Sequence, residues 1–213
     1  MALKKNHIPE IRIAYNRFLD PIFIFYCQNN PELKQRGWND WTPPSRDEVK
    51  ERVERYKAAW ERDGEKILQA IQNALGLTFV RNVIDVHVVS GLSRGFSSPI
   101  VLKSGFAPGE FVDVLAHELI HVLFQDNVAQ VPTSMLDELF PGESITTRNH
   151  ILVHAALAHL YLDILKDEKR LEANRQRSGK TSDPGYVRAW EIVDERGYQN
   201  LLNLFKDKVP LPT

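Results

Sequence analysis

The chain has 213 residues, 43 % of them hydrophobic, enough to bury one sizeable core, so residues 1–213 are read as a single domain. With 27 basic and 28 acidic residues the net charge is −1, which leaves no electrostatic footprint for nucleic acid or an anionic membrane. No apolar stretch reaches the roughly 20 residues that span a bilayer. MALKKNHIPE carries no apolar signal core, and the lone Cys27 forms no disulfide framework, so the expected location is the cytoplasm.

Residues 11–27 are rich in Ile, Phe and Tyr and divided by Pro21; they fit a strand pair or a short helix plus a strand, and periodicity does not choose. Cys27 reads as a small core residue. From Asn29 to Pro44 the density of Pro, Gly and Trp predicts a loop, with Trp38 and Trp41 locking it onto the core. Ser45-Arg-Asp-Glu48 is a capping box. It opens a long amphipathic helix to about Leu75, with Gly64 as a candidate break. Val49, Val53, Tyr56, Ala59, Trp60, Ile67, Ala70, Ile71 and Leu75 form its buried stripe, and its charges form a solvated face.

Leu77 to Ser90 is a β-branched run typical of strand, with His87 as a structural or exposed member. Leu92 to Pro99 is a turn, and Ile100 to Lys103 a second short strand. Ala107 to Phe124, APGEFVDVLAHELIHVLF, reads as one helix: Pro108 suits its first position and Glu110 its positive first turn. Apolar residues nearly all round mark it as buried. A short helix follows at Thr133–Phe140, in a connection where Asp137, Glu138 and Glu143 read as an acidic turn or as partners for a metal-bound histidine. Thr146 or Thr147 then caps a second buried helix carrying His150, His154 and His159. His159 reads as a partly exposed residue outside the site. Past Leu165 a polar stretch predicts fraying or a mobile loop. Tyr186 to Phe205 reads as a final helix weakened by Gly197.

The specific chemistry lies in His117-Glu-Leu-Ile-His121. Residues four apart stack on one helix face, so His117 and His121 aim two imidazoles at a common point where one Zn²⁺ fits, with Glu118 beside it. Zinc lowers the pKa of bound water to about 7, and a carboxylate can take its proton. A shuffled chain of this composition would contain the pattern in roughly 2 % of cases, so context decides. Two histidines and a glutamate within an apolar helix need polar partners, since each unpaired buried polar group costs about 1–3 kcal/mol. A catalytic zinc also needs a third protein ligand. His150 and His154, again four apart, offer it.

A HELIH helix followed by a second ligand-bearing helix resembles the zincin superfamily of metallopeptidases. The resemblance covers about 45 residues. Its thermolysin-like members carry Asn-Glu-x-x-Ser/Ala-Asp on the second helix, where the Glu binds zinc and the Asp supports the first zinc histidine. Asn149-His150-Ile-Leu-Val-His154 has a similar shape with both acids replaced by histidine. The resemblance implies His150 as ligand and His154 in the supporting or transition-state position, or His154 as the ligand. The metzincin subset is disfavoured, because Phe124 and Asn127 stand where it has Gly and a third His. The fold implied is a minimal zincin-like α+β arrangement: a small mixed sheet packed against the HExxH helix and the second ligand helix. Residues 92–103 are the candidate edge strand that would hold a peptide substrate.

The function implied is a zinc metallopeptidase acting on a peptide or protein, with Glu118 as general base. Tyr161, Tyr186, Tyr198 and His154 are candidate stabilisers of the oxyanion. The alternative is a zincin-like binding or regulatory module without proteolytic activity.

Overall fold

A computed structural model describes residues 7–209. In chain order the elements are β1 (Glu10–Tyr15), α1 (Asp20–Asn29), α2 (Pro31–Leu33), a π-helical turn (Lys34–Trp38), α3 (Arg46–Leu75), β2 (Val83–Val89), β3 (Phe96–Ser97), β4 (Ile100–Lys103), α4 (Pro108–Asp126), α5 (Thr133–Leu139), α6 (Ile145–His159), a second π-helical turn (Leu160–Ile164), α7 (Glu168–Gly179), α8 (Gly185–Arg196) and α9 (Tyr198–Lys208). The class is α+β with a mixed sheet. Among the described residues no helix is long and apolar enough to cross a membrane. The chain divides into two compact units, one of Pro9–Gly64 with Arg81–Leu119, the other of 7–8, Glu65–Val80 and 120–209.

The first unit holds the sheet, in the order β1-β2-β4-β3. β1 and β4 each pair parallel with β2, in registers such as Ile13↔Val86 and Val88↔Leu102. β3 closes the edge antiparallel to β4. Residues 11–27 resolve into a strand plus a helix. Pro21 sits in the first turn of α1, where its missing N–H is no loss. Buried Asp20 fastens that turn to the end of β2, accepting from the Ser90 N–H (2.6 Å), the Ser90 hydroxyl (3.0 Å) and the Tyr15 hydroxyl (2.7 Å). Leu19 and Phe23 then pack on Val89, Leu92 and Val101. Cys27 is fully buried, as a small core residue should be.

The stretch 29–44 is more helical than its composition predicts. The Asn30 side chain caps α2 by accepting from the Glu32 and Leu33 N–H groups, and Asn-Pro is a helix-start signal that the surrounding Gly and Trp obscure. Trp41 does lock the segment down: a Cβ on Gly91 would lie 2.4 Å from its ring. The Ser45–Glu48 capping box forms with both reciprocal bonds, Glu48 N–H to Ser45 Oγ (3.3 Å) and Ser45 N–H to Glu48 Oε2 (2.8 Å). Gly64 does not break α3. The Trp60 indole lies across it, so close that a Cβ there would sit 2.4 Å from Cε2; the glycine makes room for packing. Strand pairing in β2 begins at Val83, later than the apolar run suggests.

The second unit is helical. α6 packs on α5, α8 and α9, with an unbroken buried run from His150 to Ala158. Its cap is Ser144, whose hydroxyl accepts from the Thr147 N–H (3.1 Å), just before the Thr146 or Thr147 expected. The polar stretch after Leu165 is also ordered. Asp167 caps α7, whose Glu, Lys, Arg, Leu and Ala residues are good helix formers. Trp190 of α8 donates its indole N–H to Ser178 (3.1 Å), and Arg175 grips Asp194 at 2.6 Å through both terminal nitrogens. The final helix is two helices. Gly197, at φ 77°, ends α8 in a left-handed conformation and starts α9 in a new direction.

Candidate metal centre

Local packing pins α4 at both ends. Near its start Phe111 stacks on Tyr56 with ring centroids 4.0 Å apart. The Tyr56 hydroxyl lies between the Ser104 and Phe106 carbonyls and so anchors the segment that leads into the helix. Burial lifts its pKa to about 12, so it stays a donor. At the far end Asp126 accepts from the Val80 N–H (2.9 Å), and the Asn127 amide donates to Thr78 and Leu123 carbonyls. Between the anchors Phe111, Val112, Leu115, Leu119, Ile120, Val122 and Leu123 are buried. His117 and His121 lie one turn apart, each partly buried.

His117 and His121 on α4 and His150 on α6 each offer one ring nitrogen, and the three nitrogens lie within 4.8 Å of one another. The His121 and His150 rings meet edge to face at 5.0 Å. His150 Nδ1 lies 2.7 Å from the Thr146 carbonyl. A carbonyl only accepts, so Nδ1 carries the proton and Nε2 keeps the lone pair that a metal needs. Thr146 is itself braced: its hydroxyl donates to Asp183 (2.8 Å), and Asp183 also accepts from the Gly185 N–H (2.9 Å). A Cβ on Gly185 would sit 2.8 Å from that of Thr146, so the turn requires glycine. Asp183, Gly185 and the Thr146 carbonyl were missed as site elements; the Asp-Pro-Gly turn was the available signal.

Burial sets the electrostatics. It pushes His121 down to about 3, with help from neighbouring His150, and lowers His150 against the Thr146 hydrogen bond and the Asp183 charge. Both imidazoles are therefore neutral at pH 7, as ligands must be. Three imidazoles form a borderline donor set that suits zinc and other late first-row divalent ions, so these residues fit a bound metal.

Glu118 is buried, 8 % exposed. Desolvation raises its pKa to about 7, opposed by a hydrogen bond from the Ser97 side chain. Its Oε1 also lies against Gly95 of the same segment, where a Cβ would come within 2.6 Å. Neither Gly95 nor Ser97 was legible as a neighbour of Glu118, because the contact depends on how β3 folds back on β4.

His154 lies outside the set of three. Fully buried, it stacks on Trp190 at 4.2 Å and 10°, with its centroid 5.7 Å from that of His150; burial holds its pKa well below the ordinary range. Among the candidate tyrosines, Tyr186 lies against His150 at 4.1 Å. Tyr198 donates to Asp163, and Tyr161 is buried beside Asn174. Asp137 pairs with Arg148 (2.9 Å) and Glu143 with Arg188 (3.2 Å), while Glu138 is exposed. His159 pairs with Asp163, and His87 meets the Asn16 side chain at 3.2 Å. No family model matches this chain, and neither a curated protein nor a solved structure matches it.

Proposed function

We propose that this chain is a zinc-dependent hydrolase of zincin type that cleaves peptide bonds in a peptide or protein substrate. One observation carries the reading: three imidazole nitrogens within 4.8 Å of one another, with a buried carboxylate adjacent in sequence to the first. His117, His121 and His150 would hold Zn²⁺. When bound, the ion supplies Lewis acidity and a water acidic near neutral pH, with a pKa of about 7.

The rest falls to the chain's own residues. Glu118, as carboxylate, accepts the proton of the attacking water; as carboxylic acid, it returns that proton to the departing amine nitrogen. Burial raises the Glu118 carboxyl above its ordinary range, the direction favourable to a group that must return a proton after taking it. The Thr146 carbonyl holds His150 in the ligating tautomer. Tyr186 and His154, grouped around His150, remain the candidates to stabilise a developing oxyanion. β3, hydrogen-bonded on one side to β4 alone, is an edge strand able to take a peptide by main-chain pairing. These features support a zincin-like arrangement acting on peptides.

Glu118→Gln separates this reading from its rival, a metal-binding module with no catalytic role. The variant should keep its zinc and lose cleavage of a broad fluorogenic peptide library, by a factor of at least about 10². Equal inactivity of zinc-loaded wild type and variant would favour the module.

A further inference from the structure

We infer that Ser97 and Gly95 are positioning residues that fix the orientation of the Glu118 carboxylate, an inference that rests on the peptidase reading of that site. Ser97 belongs to β3, in register with Ile100 of β4, while its neighbour Phe96 pairs with Val101. Side chains alternate along a strand. Phe96 accordingly turns to Phe23, with centroids 6.1 Å apart, and Ser97 turns to Glu118, to which its side chain is hydrogen-bonded. A carboxylate only accepts, so the hydroxyl donates. Two residues earlier, Gly95 presents bare backbone to Glu118 Oε1: an ideal Cβ there would lie 2.6 Å from that oxygen and 3.1 Å from Leu102 Cδ2.

The carboxylate is therefore held by a donor and confined by a wall that only glycine leaves open. A glutamate side chain has three rotatable bonds, and burial alone would not select one setting. A base must point at the proton it takes, and a displacement of about 1 Å can cost on the order of 10²-fold in rate. The same segment forms the sheet edge that would pair with substrate, so one short stretch would align both the base and the peptide.

The test compares wild type, Ser97→Ala, Ser97→Thr and Gly95→Ala, each zinc-loaded, on the fluorogenic peptide that wild type cleaves best, with zinc content and Tm measured in parallel. Ser97→Ala should lower kcat by about tenfold or more at unchanged KM and zinc content, and Ser97→Thr, which keeps the hydroxyl, should restore it. Gly95→Ala should lower kcat as well, and its metal-free crystal structure should show the Glu118 carboxylate turned from its wild-type setting. Wild-type kcat in both Ser97→Ala and Gly95→Ala would overturn the inference while leaving the peptidase reading intact. A zinc-loaded wild type that cleaves no peptide would overturn both.

Discussion

At the scale of the residue, the site depends on which way each imidazole faces and what holds it. The pair His117 and His121 was legible because a four-residue spacing on an apolar helix fixes a shared face. His150 and His154 have the same spacing, so the sequence offered either as third ligand. What separates them is the rotation of α6 about its axis, set by its contacts with α8 and α9, far away in the chain. That rotation turns His150 towards His121 and leaves His154 stacked on Trp190. A second residue-scale device is Asp163, which accepts from His159 (2.8 Å) and Tyr198 (2.9 Å). Burial alone would raise its pKa, but these bonds outweigh it and the carboxyl lies below its ordinary value. A depressed carboxyl pKa gives stability that is present above the unfolded value of about 3.9 and lost as pH falls through the folded value. Asp163→Asn should therefore lower Tm at pH 6 and narrow the gap to wild type as pH falls below about 4. An equal gap at both pH values, followed by circular dichroism, would remove Asp163 from the acid response.

At the scale of the element, the capping box and apolar periodicity of α3 predict its start and its buried stripe, whereas Gly64, a candidate break, lies inside the continuous helix. In an exposed helix interior Gly→Ala stabilises by about 1 kcal/mol. At position 64 the new methyl would press into the Trp60 indole at 2.4 Å, and overpacking costs about 1–3 kcal/mol. The packing effect should win, so Gly64→Ala should lower Tm; a raised Tm would show that Trp60 swings aside freely. After Leu165, where charge density suggests fraying or a mobile loop, the chain is helical instead. Helix propensity and the Asp167 cap suffice once Leu171, Asn174 and Ser178 have α8 to pack against, a partner not visible from the segment itself. Gly197 shows the same dependence: a helical pattern continues through it, but a φ of 77° turns one helix into two.

At the scale of the whole molecule, α3 and α4 are continuous helices that each contribute to both compact units. Apolar periodicity marks α3, α4, α6 and the runs holding β2 and β4, but not α1, α2 or α7, which have little apolar pattern of their own. β3, at the edge of the sheet, lies within the 92–103 segment expected there, although residues 92–99 read as a turn; its pairing with β4 is a long-range property. On the proposed function, α4 and α6 together build a three-histidine zinc site with His150, not His154, as its third ligand. The decisive measurement is zinc per chain, by elemental analysis on protein purified without a nickel column. About one zinc per chain is expected in wild type, in Glu118→Gln and in His154→Ala, and a near-complete loss in His150→Ala, since a zinc site needs its third protein ligand. Wild-type zinc far below one per chain, or zinc lost with His154 and kept without His150, would contradict it.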